Sequence, residues 1–387
     1  MDAFLMQVEE WLAANPATVN GRERPLVGLP VVGTGAGGGQ LTKGSIVDQL
    51  VKYLAARAAA APFDVVLVVR GSRMHAAVEY SRRAATATRS VTSALSPELE
   101  AAAKELARRA NKGELVLFLG AGVSMGAGLP GWNGLLGSLA ESAGLQAAES
   151  ESLSRMSHLD QAHLISRRLE QLGKDLGTSV KEQLAASNYS LSHSLLASLP
   201  VREVATTNYD QLFECASSDA GTPAAVLPYA ANRNRERWLL KLHGCVTQPQ
   251  DIVLTRSDYL RYAERRAALA GIVQALLITK HMLFVGFSLT DENFHRIADD
   301  VRRAMSGQGQ SDLRCGTAMV LSPDPLMAEL WLPEIACTPV SEGGGATRAA
   351  ARELEIFLDR VLAECTDMTS HILDDTFEHL LSPGELE

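Results

Sequence analysis

The sequence predicts an α/β protein with a parallel sheet, a helical insertion in that sheet and a small additional α/β unit at the N-terminus. Four short apolar segments between residues 113 and 340 each end in a group of small or polar residues. The segment 130–199 contains no strand-like run, and helices are predicted within it at 161–172 and 190–199. Two further apolar segments alternate with helices before residue 90, which favours parallel pairing through a right-handed crossover.

The predicted domain boundaries follow changes in this pattern along the chain. They give a small α/β unit at 1–90, a linker and helix at 91–112, a main domain at 113–340 with a helical insert at about 133–199, and a helical tail at 341–387. The elements expected in the first unit are a helix at 4–13, a strand at 25–32, a glycine-rich loop at 33–39, a helix at 45–60, a strand at 63–69 and a helix at 74–83. A chain of 387 residues is long enough for two to three domains.

The carboxyl ends of the main strands are the first candidates for a functional site. The strands and the residues after them are 115–119 with Gly120 to Ser124, 201–205 with Thr206 to Asp210, 239–242 with His243 and Gly244, and 282–285 with Gly286 to Ser288. A fifth strand is expected at 317–321. Because an open α/β sheet forms its ligand crevice outside the carboxyl ends of its strands, the four ends are expected to meet at one pocket.

Charge and hydropathy exclude several classes of protein. The net charge of -9 and the pI near 5.6 provide no overall attraction to nucleic acid or to an anionic membrane. The local run Arg233, Arg235 and Arg237 is expected to be a solvated loop. The N-terminus lacks the basic start and apolar core of a secretory signal, and the most apolar stretch, 55–69, is too interrupted to span a bilayer. A cytoplasmic protein without a membrane or direct nucleic-acid partner is expected.

The cysteines are isolated in the sequence, and no C-x-x-C pair occurs. They are Cys215, Cys245, Cys315, Cys337 and Cys365. Structural zinc sites and disulfide frameworks need cysteines at characteristic spacings. We therefore expect reduced thiols, with no zinc and no other metal site.

The loop after the first main strand supports more than one interpretation. Its glycines, spaced G-x-G-x-x-x-G, would let backbone N–H groups approach a pyrophosphate, but an ordinary tight turn is the alternative. The stretch 122–126 also matches the G-x-S-x-G nucleophile elbow of serine hydrolases, with Asp210 and His243 following in the right order. Against the elbow, Ser124 lies five residues beyond the end of the strand, and Asn208 would have no role.

The polar residues at the other strand ends have both structural and functional interpretations. Asn208 or Asp210 could cap the helix that follows. Alternatively, Asn208 could orient a ribose hydroxyl or a water, while Asp210 accepts hydrogen bonds or faces developing positive charge. His243 could be a hydrogen-bonded core histidine or, at a crevice and with an ordinary pKa near ~6.5, a general base.

These motifs together resemble the sirtuin-type NAD-binding domain, in the divergent bacterial branch found in anti-phage defence systems. The matching stretches, in the family's order, are Gly120-Ala-Gly-Val-Ser124, Ala127-Gly-Leu-Pro130 with Trp132, Thr207-Asn-Tyr-Asp210, Lys241-Leu-His-Gly244, Val253-Leu-Thr-Arg256 with Asp258-Tyr259, and Phe284-Val-Gly-Phe-Ser-Leu-Thr-Asp291 with Asn293. The resemblance runs from about residue 114 to residue 293. It implies a Rossmann-like parallel sheet and NAD as the substrate.

The resemblance also implies which residues form the site. Asn208, Asp210 and His243 match the asparagine, the aspartate and the catalytic histidine of the family. The positions expected to hold NAD are Gly120, Ala121, Gly122, Ser124, Gly128, Trp132, Thr207, Gly286, Ser288 and Asp291. Asn208 would position the ribose or the attacking water, Asp210 would orient the carboxamide, and His243 would act as base toward a ribose hydroxyl or water.

The departures from sirtuin deacylases decide which reaction the resemblance implies. Those enzymes hold a zinc module between two C-x-x-C pairs, and here the helical insert takes its place. Trp132-Asn133 stands where Phe-Arg is expected, and Thr207 stands where the family has Gln. The implied activity is hydrolysis of NAD to nicotinamide and ADP-ribose by a defence effector, acting as a homo-oligomer or with a ring-forming ATPase as partner. A non-catalytic NAD or ADP-ribose sensor and an NAD-dependent protein deacylase are the alternatives.

The N-terminal unit carries a second, partial resemblance. Its glycine loop at 33–39, followed by a helix and the strand at 63–69, resembles the C-terminal half of a macro domain, a module that binds ADP-ribose. Backbone amides of such a loop would wrap a diphosphate. The first half of that fold has no counterpart in the match, so an ordinary glycine turn is the alternative.

Overall fold

The protein forms two compact units, Met1–Glu100 with Arg360–Glu387, and Ala101–Asp359. The computed structural model describes residues 1–15, 21–34, 39, 41–89, 95–230, 236–305, 314–343, 347–367 and 369–381. The predicted glycine loop and basic run lie partly outside the described residues, at Gly35, Gly37, Gly38, Arg233 and Arg235. Within the described part of the chain, no helix combines the length and the apolar character needed to cross a membrane.

The first unit is a small α/β arrangement. Its main elements are α1 (Asp2–Ala14), β1 (Leu26–Pro30), α2 (Lys43–Ala58), β2 (Asp64–Val68) and α3 (Ser72–Arg89). β1 and β2 pair in parallel, from Leu26 opposite Asp64 to Pro30 opposite Val68. The two predicted strands and their parallel pairing are therefore confirmed. Leu5 of α1 and Leu54 of α2 are buried with Phe63 in the core of this unit.

The C-terminal residues pack into the same unit. Two 3₁₀ turns, Ser370–Leu373 and Asp375–Leu380, follow the last helix. Phe377 is buried in a cluster with Val47 of α2, and a Cβ on Gly44 would lie 2.9 Å from the Phe377 carbonyl oxygen. The sequence predicts only a helical tail here, because nothing in its pattern indicates what the tail packs against.

The second unit is built on a parallel sheet that has seven strands among the described residues. The strands are β3 (Leu115–Leu119), β4 (Glu203–Thr206), β5 (Ala225–Leu227), β6 (Trp238–Lys241), β7 (His281–Val285), β8 (Gly316–Val320) and β9 (Ile335–Pro339). The helices after α3 are α4 (Pro97–Asn111), α5 (Ala121–Met125), α6 (Trp132–Ser142), α7 (Ala147–Ser154), α8 (His158–Gln171), α9 (Leu176–Gln183), α10 (Leu191–Ser198), α11 (Leu212–Asp219), α12 (Arg256–Leu260), α13 (Tyr262–Arg265), α14 (Ala267–Thr279), α15 (Glu292–Met305), α16 (Pro325–Trp331) and α17 (Thr347–Cys365).

The strand order in the sheet is β5-β6-β4-β3-β7-β8-β9, and every neighbouring pair is parallel. The predicted strands are confirmed as β3, β4, β6, β7 and β8, with small shifts at their ends. β5 and β9 are not predicted, because β5 is three residues long and β9 mixes polar residues into a short run. Both lie at the edges of the sheet.

β3 lies at the centre of the sheet, and all of its residues are buried. The ring of Phe118 lies 4.7 to 5.3 Å from the rings of Phe284, Phe287 and Phe294. These contacts hold β7 and the segment after it against β3. The chain passes from β3 to β4 on one side and later returns to β7 on the other, so the strand order reverses at β3. Open α/β sheets form their ligand crevice at such a point.

The helical insert consists of α6 to α10, as its sequence predicts. Leu136 and Leu139 of α6 pack with Ile165 of α8 in a separate apolar core. This core also contains Tyr209 and Leu254, which come from the loops after β4 and β6. The insert is therefore anchored over the carboxyl edge of the sheet.

Arg237 corrects the prediction of a solvated basic loop. Its side chain is 5% exposed, and its guanidinium donates to the carbonyls of Ala197 (2.6 Å), Leu199 (2.7 Å) and Val201 (2.9 Å). These carbonyls lie at and just after the end of α10, where no further helical N–H groups are available as donors. The charged guanidinium of Arg237 can be buried here because it donates hydrogen bonds to several acceptors at once.

Candidate active site

An open cleft lies at the carboxyl ends of β3 and β4. It is lined by Ala121, Ser124, Leu129, Pro130, Gly131, Trp132, Leu135, Leu184, Thr207, Asn208, Tyr209 and Asp210. The large apolar side chains come from the loop before α6, from α6 and from the end of α9, whereas the polar ones follow β3 and β4 directly. The cleft therefore has an apolar wall supplied by the insert and a polar floor supplied by the sheet.

The glycine turn after β3 is packed against the turn after β7. A Cβ on Gly120 would lie 2.4 Å from the Gly286 carbonyl oxygen, and a Cβ on Gly122 would lie 2.8 Å from the Gly286 Cα. The N–H of Gly120 donates to the Val285 carbonyl (3.0 Å), and that of Gly122 donates to the Gly286 carbonyl (2.9 Å). Backbone packing explains both glycines, and their N–H groups are already used within the protein.

Three polar side chains of the cleft form one hydrogen-bonded network, called here the floor network: Ser124, Asn208 and Asp210. Ser124 Oγ donates to Asp210 Oδ2 (2.8 Å). Asn208 Nδ2 donates to Ser124 Oγ (3.2 Å) and to the Gly120 carbonyl (3.0 Å). Asp210 Oδ1 accepts from the backbone N–H of Leu212, the first residue of α11 (3.0 Å). Asp210 thus accepts from the first N–H of α11, although Gln211 is the N-cap residue, and it also lines the cleft.

A buried lysine holds the backbone beneath Asp210. Lys241, the last residue of β6, is 1% exposed, its Nζ lies 2.9 Å from Glu214 Oε1, and it also donates to the Asp210 carbonyl. Burial alone would lower the pKa of Lys241, but the neighbouring groups, with Glu214 first among them, together outweigh it, so the pKa lies above its usual value. The ammonium therefore stays charged and ties β6 to the turn that carries Asp210.

His243 lies in a second polar cluster, whose residues do not line the cleft. It is 1% exposed, and its ring packs edge-on against Tyr259 and Tyr262, with centroids 5.5 and 5.8 Å away. Its Nε2 lies 3.8 Å from Asp291 Oδ1 and 3.5 Å from Asn293 Nδ2. Among the described residues its Nδ1 has no hydrogen-bond partner. Burial lowers the pKa of His243, and Asp291 opposes this only in part, so the ring is neutral at pH 7.

The structure brings six of the predicted site residues to the cleft and places the others around it. At the cleft are Ala121, Ser124, Trp132, Thr207, Asn208 and Asp210. The indole of Trp132 stands edge-on to the ring of Tyr209. This contact fixes the aromatic part of the wall above the floor network.

The remaining predicted positions lie outside the lining. Gly128 has φ of +87° in the loop between α5 and α6, a conformation that glycine adopts without strain. Ser288 is exposed, and its Oγ lies 2.6 Å from Thr290 Oγ1. Asp291 Oδ2 accepts from the Tyr259 hydroxyl (2.6 Å) and belongs to the His243 cluster.

The serine-hydrolase alternative does not match this geometry. Ser124 is the fourth residue of α5 and does not stand at a strand-to-helix elbow. Its hydroxyl donates to Asp210, whereas an activated serine donates to an imidazole. His243, the base that the elbow would need, lies in the other cluster.

The sequence reasoning misses several residues at the site, among them His193 and Leu184. His193 of α10 has its Nε2 3.5 Å from Ser124 Oγ. A local signal for it exists, because Ser190 and His193 are spaced as the two partners of a helix-capping box. Leu184 lines the apolar wall, but as one apolar residue among many in the insert it carries no signal of its own.

Comparison with known families matches part of the unit that carries the cleft. Residues 202–336 match the family model of the SIR2-like domain. This stretch of the second unit is similar to the SIR2-like domain. The matched range includes Asn208, Asp210 and His243, whereas the glycine turn and the insert precede it. Among the described residues of the chain, no group of His, Cys, Asp or Glu is arranged to hold a metal ion.

Curated relatives of the SIR2-like domain match about half of this chain. The NAD(+) hydrolase ThsA of Enterococcus faecium is 33% identical over 206 residues, covering 51% of this chain and 42% of the relative. The NAD(+) hydrolase ThsA of Bacillus cereus is 28% identical over 215 residues, covering 54% and 44%. The defense-associated sirtuin 2 of Bacillus subtilis is 26% identical over 206 residues, covering 52% and 20%. This chain spans less than half the length of these relatives.

Proposed function

We propose that this chain hydrolyses NAD at the bond between nicotinamide and ribose and acts as an NAD-depleting effector in anti-phage defence. The observation that carries the proposal is the pairing of Asn208 and Asp210 in one cleft of an SIR2-like domain. Similarity to proteins named NAD(+) hydrolases, at 27 to 33% identity, supports it. Water adds its oxygen to C1′ of the ribose, the C1′–N electron pair passes to nicotinamide, and one proton is released.

Asp210 would act on the charge that develops as this bond breaks. Cleavage of a glycosidic bond passes through an oxocarbenium-like state. A carboxylate that is 7% exposed at the floor of the cleft exerts a stronger field on such a cation than one in open water. The same carboxylate could instead orient the carboxamide of NAD. In both cases Ser124 holds the carboxylate in place, and Lys241 holds the backbone of Asp210.

The apolar wall would hold the nicotinamide ring and exclude water from its far side. Leu129, Leu135 and Leu184 supply the aliphatic surface, and Trp132 supplies an aromatic one. Binding sites for flat organic groups commonly combine such walls with a few placed polar groups. Asn208 would then position the ribose or the attacking water beside the bond that breaks.

His243 has the protonation state of a general base but is covered in this structure. Its lowered pKa leaves the ring neutral and able to accept a proton. Tyr259 and Tyr262, on α12 and α13, lie against it. A role as base toward bound NAD therefore requires these two short helices to move aside.

Release of nicotinamide from NAD by the purified chain tests the proposal. Asn208→Ala and Asp210→Asn should each lower turnover by about 100-fold or more, because each removes a placed polar group from the reacting bond. Asn188→Ala, at an exposed asparagine of the insert, is the matched control and should turn over NAD normally. The reaction is followed by chromatography at low and high protein concentration, so that a latent enzyme is also detected.

Two other outcomes of the same assay would replace the proposal. Binding of NAD without any nicotinamide release, at every concentration, would make the chain a sensor. Release that depends on an added acylated peptide would make it a deacylase. Mass spectrometry of the second product distinguishes linear from cyclic ADP-ribose.

We extend the proposal to a regulated, cytoplasmic homo-oligomer. An enzyme that destroys NAD without control would kill its own host, so control by assembly or by a partner is expected. Most soluble oligomers are closed, symmetric homo-oligomers. The resemblance also makes a ring-forming ATPase a candidate partner. Light scattering of the chain, alone and with a neighbouring gene product, combined with NAD turnover of each fraction, tests both.

A further inference from the structure

A histidine of the insert, His193, contacts the floor network. It is 1% exposed, and its Nε2 lies 3.5 Å from Ser124 Oγ. Ser190, the N-cap residue of α10, holds the other side of the ring, since its backbone N–H donates to His193 Nδ1 (3.3 Å) and its Oγ lies 2.8 Å from the same nitrogen. Ser190 Oγ also lies 3.2 Å from the Val123 carbonyl of α5. The imidazole is therefore held at both of its nitrogens.

These contacts assign the proton on the His193 ring. A backbone N–H can only donate, so Nδ1 accepts from Ser190 and carries no proton. The Ser190 hydroxyl then points its one proton at Nδ1 (2.8 Å) and not at the more distant Val123 carbonyl (3.2 Å). Burial lowers the pKa of His193 to about 4, although the charge of Asp210 opposes this, so the ring is neutral at pH 7. A neutral imidazole has a single N–H, which is then on Nε2. His193 therefore presents a donor to Ser124.

Ser124 Oγ is fully engaged in consequence. A hydroxyl has one proton and two lone pairs. The proton goes to Asp210 Oδ2 at 2.8 Å. The lone pairs accept from Asn208 Nδ2 at 3.2 Å and face His193 Nε2 at 3.5 Å. Because Ser124 has no second proton to give, Asn208 has to present its NH₂ group, and not Oδ1, to this hydroxyl.

The amide of Asn208 is oriented by this arrangement. The two protons of Nδ2 go to Ser124 Oγ and to the Gly120 carbonyl. Asn208 Oδ1 has no hydrogen-bond partner among the residues that the structure describes, so it is the acceptor that the amide offers to the cleft. We propose that His193 is a positioning residue whose Nε2–H orients Ser124 and, through it, the Asn208 amide, so that NAD meets a carbonyl oxygen. This inference rests on the proposed function for the identity of the substrate alone.

Two substitutions separate the two nitrogens of the ring. The longer side chain in His193→Gln can place an amide N–H near the position of Nε2, whereas that in His193→Asn reaches only the position of Nδ1. H193Q should keep NAD turnover within about threefold of the natural chain, and H193N should lose at least about tenfold in kcat/KM, because the reacting groups are no longer held in register. Equal losses in both variants, at equal melting temperatures, would overturn the proposal.

The matched control is His163→Asn, at an exposed histidine of α8 in the same insert. It should leave both NAD turnover and melting temperature unchanged. A loss of turnover in this control equal to that of H193N would mean that the insert tolerates no such change, and the proposal would fail.

A measurement without substrate tests the same arrangement, even if H193N does not fold. Long-range ¹H–¹⁵N spectra of histidine-labelled protein, assigned with H193Q, show which ring nitrogen carries the proton. The proton is expected on Nε2 of His193 at pH 7, and a proton on Nδ1 or a charged ring would refute the proposal. An inactive natural chain whose His193 carries the Nε2 proton would count against the proposed function and leave the positioning geometry supported.

Discussion

The backbone of the second unit leaves no room for a side chain at one of its turns. Gly286 follows β7 with φ of +65°, a left-handed conformation that other residues rarely adopt. A Cβ there would lie 2.4 Å from the Val123 nitrogen. This nitrogen belongs to the turn that leads into Ser124, so the turn after β7 and the floor network share one packing contact.

Gly286→Ala should therefore lower the free energy of unfolding by about 3 kcal/mol, from left-handed strain and from the clash together. Gly137→Ala in α6, where a new Cβ would meet nothing within 4 Å, is the matched control. The control should be neutral or more stable by up to about 1 kcal/mol. Urea unfolding followed by circular dichroism measures both. Similar midpoints for the two variants would show that the turn can relax.

At the scale of elements, Arg237 couples the helix that carries His193 to the sheet. Its guanidinium closes the carboxyl end of α10 from the start of β6. Burial lowers the pKa of Arg237 to about 10, so the group remains charged at neutral pH. A cation at this end of a helix also meets the negative end of the helix dipole.

Arg237→Met should cost about 3 kcal/mol, because it leaves several buried carbonyls without a donor. Arg155→Met is the matched control, since the Arg155 side chain is 75% exposed and pairs only across the helix surface with Glu151. Its expected cost is below about 0.5 kcal/mol. Thermal and urea unfolding compare the two, and a methionine tolerated equally well at both positions would contradict the capping role.

The elements that the sequence predicts are those whose signal is local. β3 and β7 are uninterrupted apolar runs, and α8 of the insert keeps a helical spacing. The position of Leu184 in the cleft wall depends on how α9 packs against α6, which no local pattern specifies. The place of His193 is only partly predictable. The Ser190-x-x-His193 spacing predicts a helix start, but it does not predict the contact of His193 with Ser124.

At the scale of the whole molecule, buried neutral histidines make the second unit sensitive to acid. Burial lowers the pKa of His193 and of His281 to about 4 each. In the unfolded chain both titrate near ~6.5. Between these values the unfolded state binds protons that the folded state does not, so the free energy of unfolding falls as the pH falls. The loss begins near pH 6.5 and is complete below about pH 4.

Each of these histidines should remove on the order of 2 kcal/mol of stability at pH 5 relative to pH 7.5. His281→Gln should remove its own share of this dependence, because glutamine does not titrate. His163→Gln, at an exposed histidine, should leave the dependence as it is. Urea midpoints at the two pH values give the comparison. An unchanged difference in the His281 variant would show that its titration is not linked to folding.

The sequence predicts where the site lies but not which strand ends share it. The sheet and its carboxyl edge follow from apolar strands and from the general behaviour of α/β folds. Asn208 and His243 both follow buried strands, yet they belong to different clusters, because Tyr259 and Tyr262 close over the imidazole. That closure depends on contacts between residues far apart in the chain. The same limit applies to Phe377, which is buried against α2 although no sequence pattern in the tail predicts this contact.

The position of β3 has a consequence for the order in which the domain folds. This strand is the first of the sheet to be synthesised, but Leu115 pairs with His281, and the insert, β4 and β6 are all made in between. Pairing between segments so distant along the chain is slow to form. During synthesis one edge of the apolar strand β3 therefore stays unpaired until β7 has been made. This unpaired edge makes the nascent chain prone to aggregation until the second half emerges.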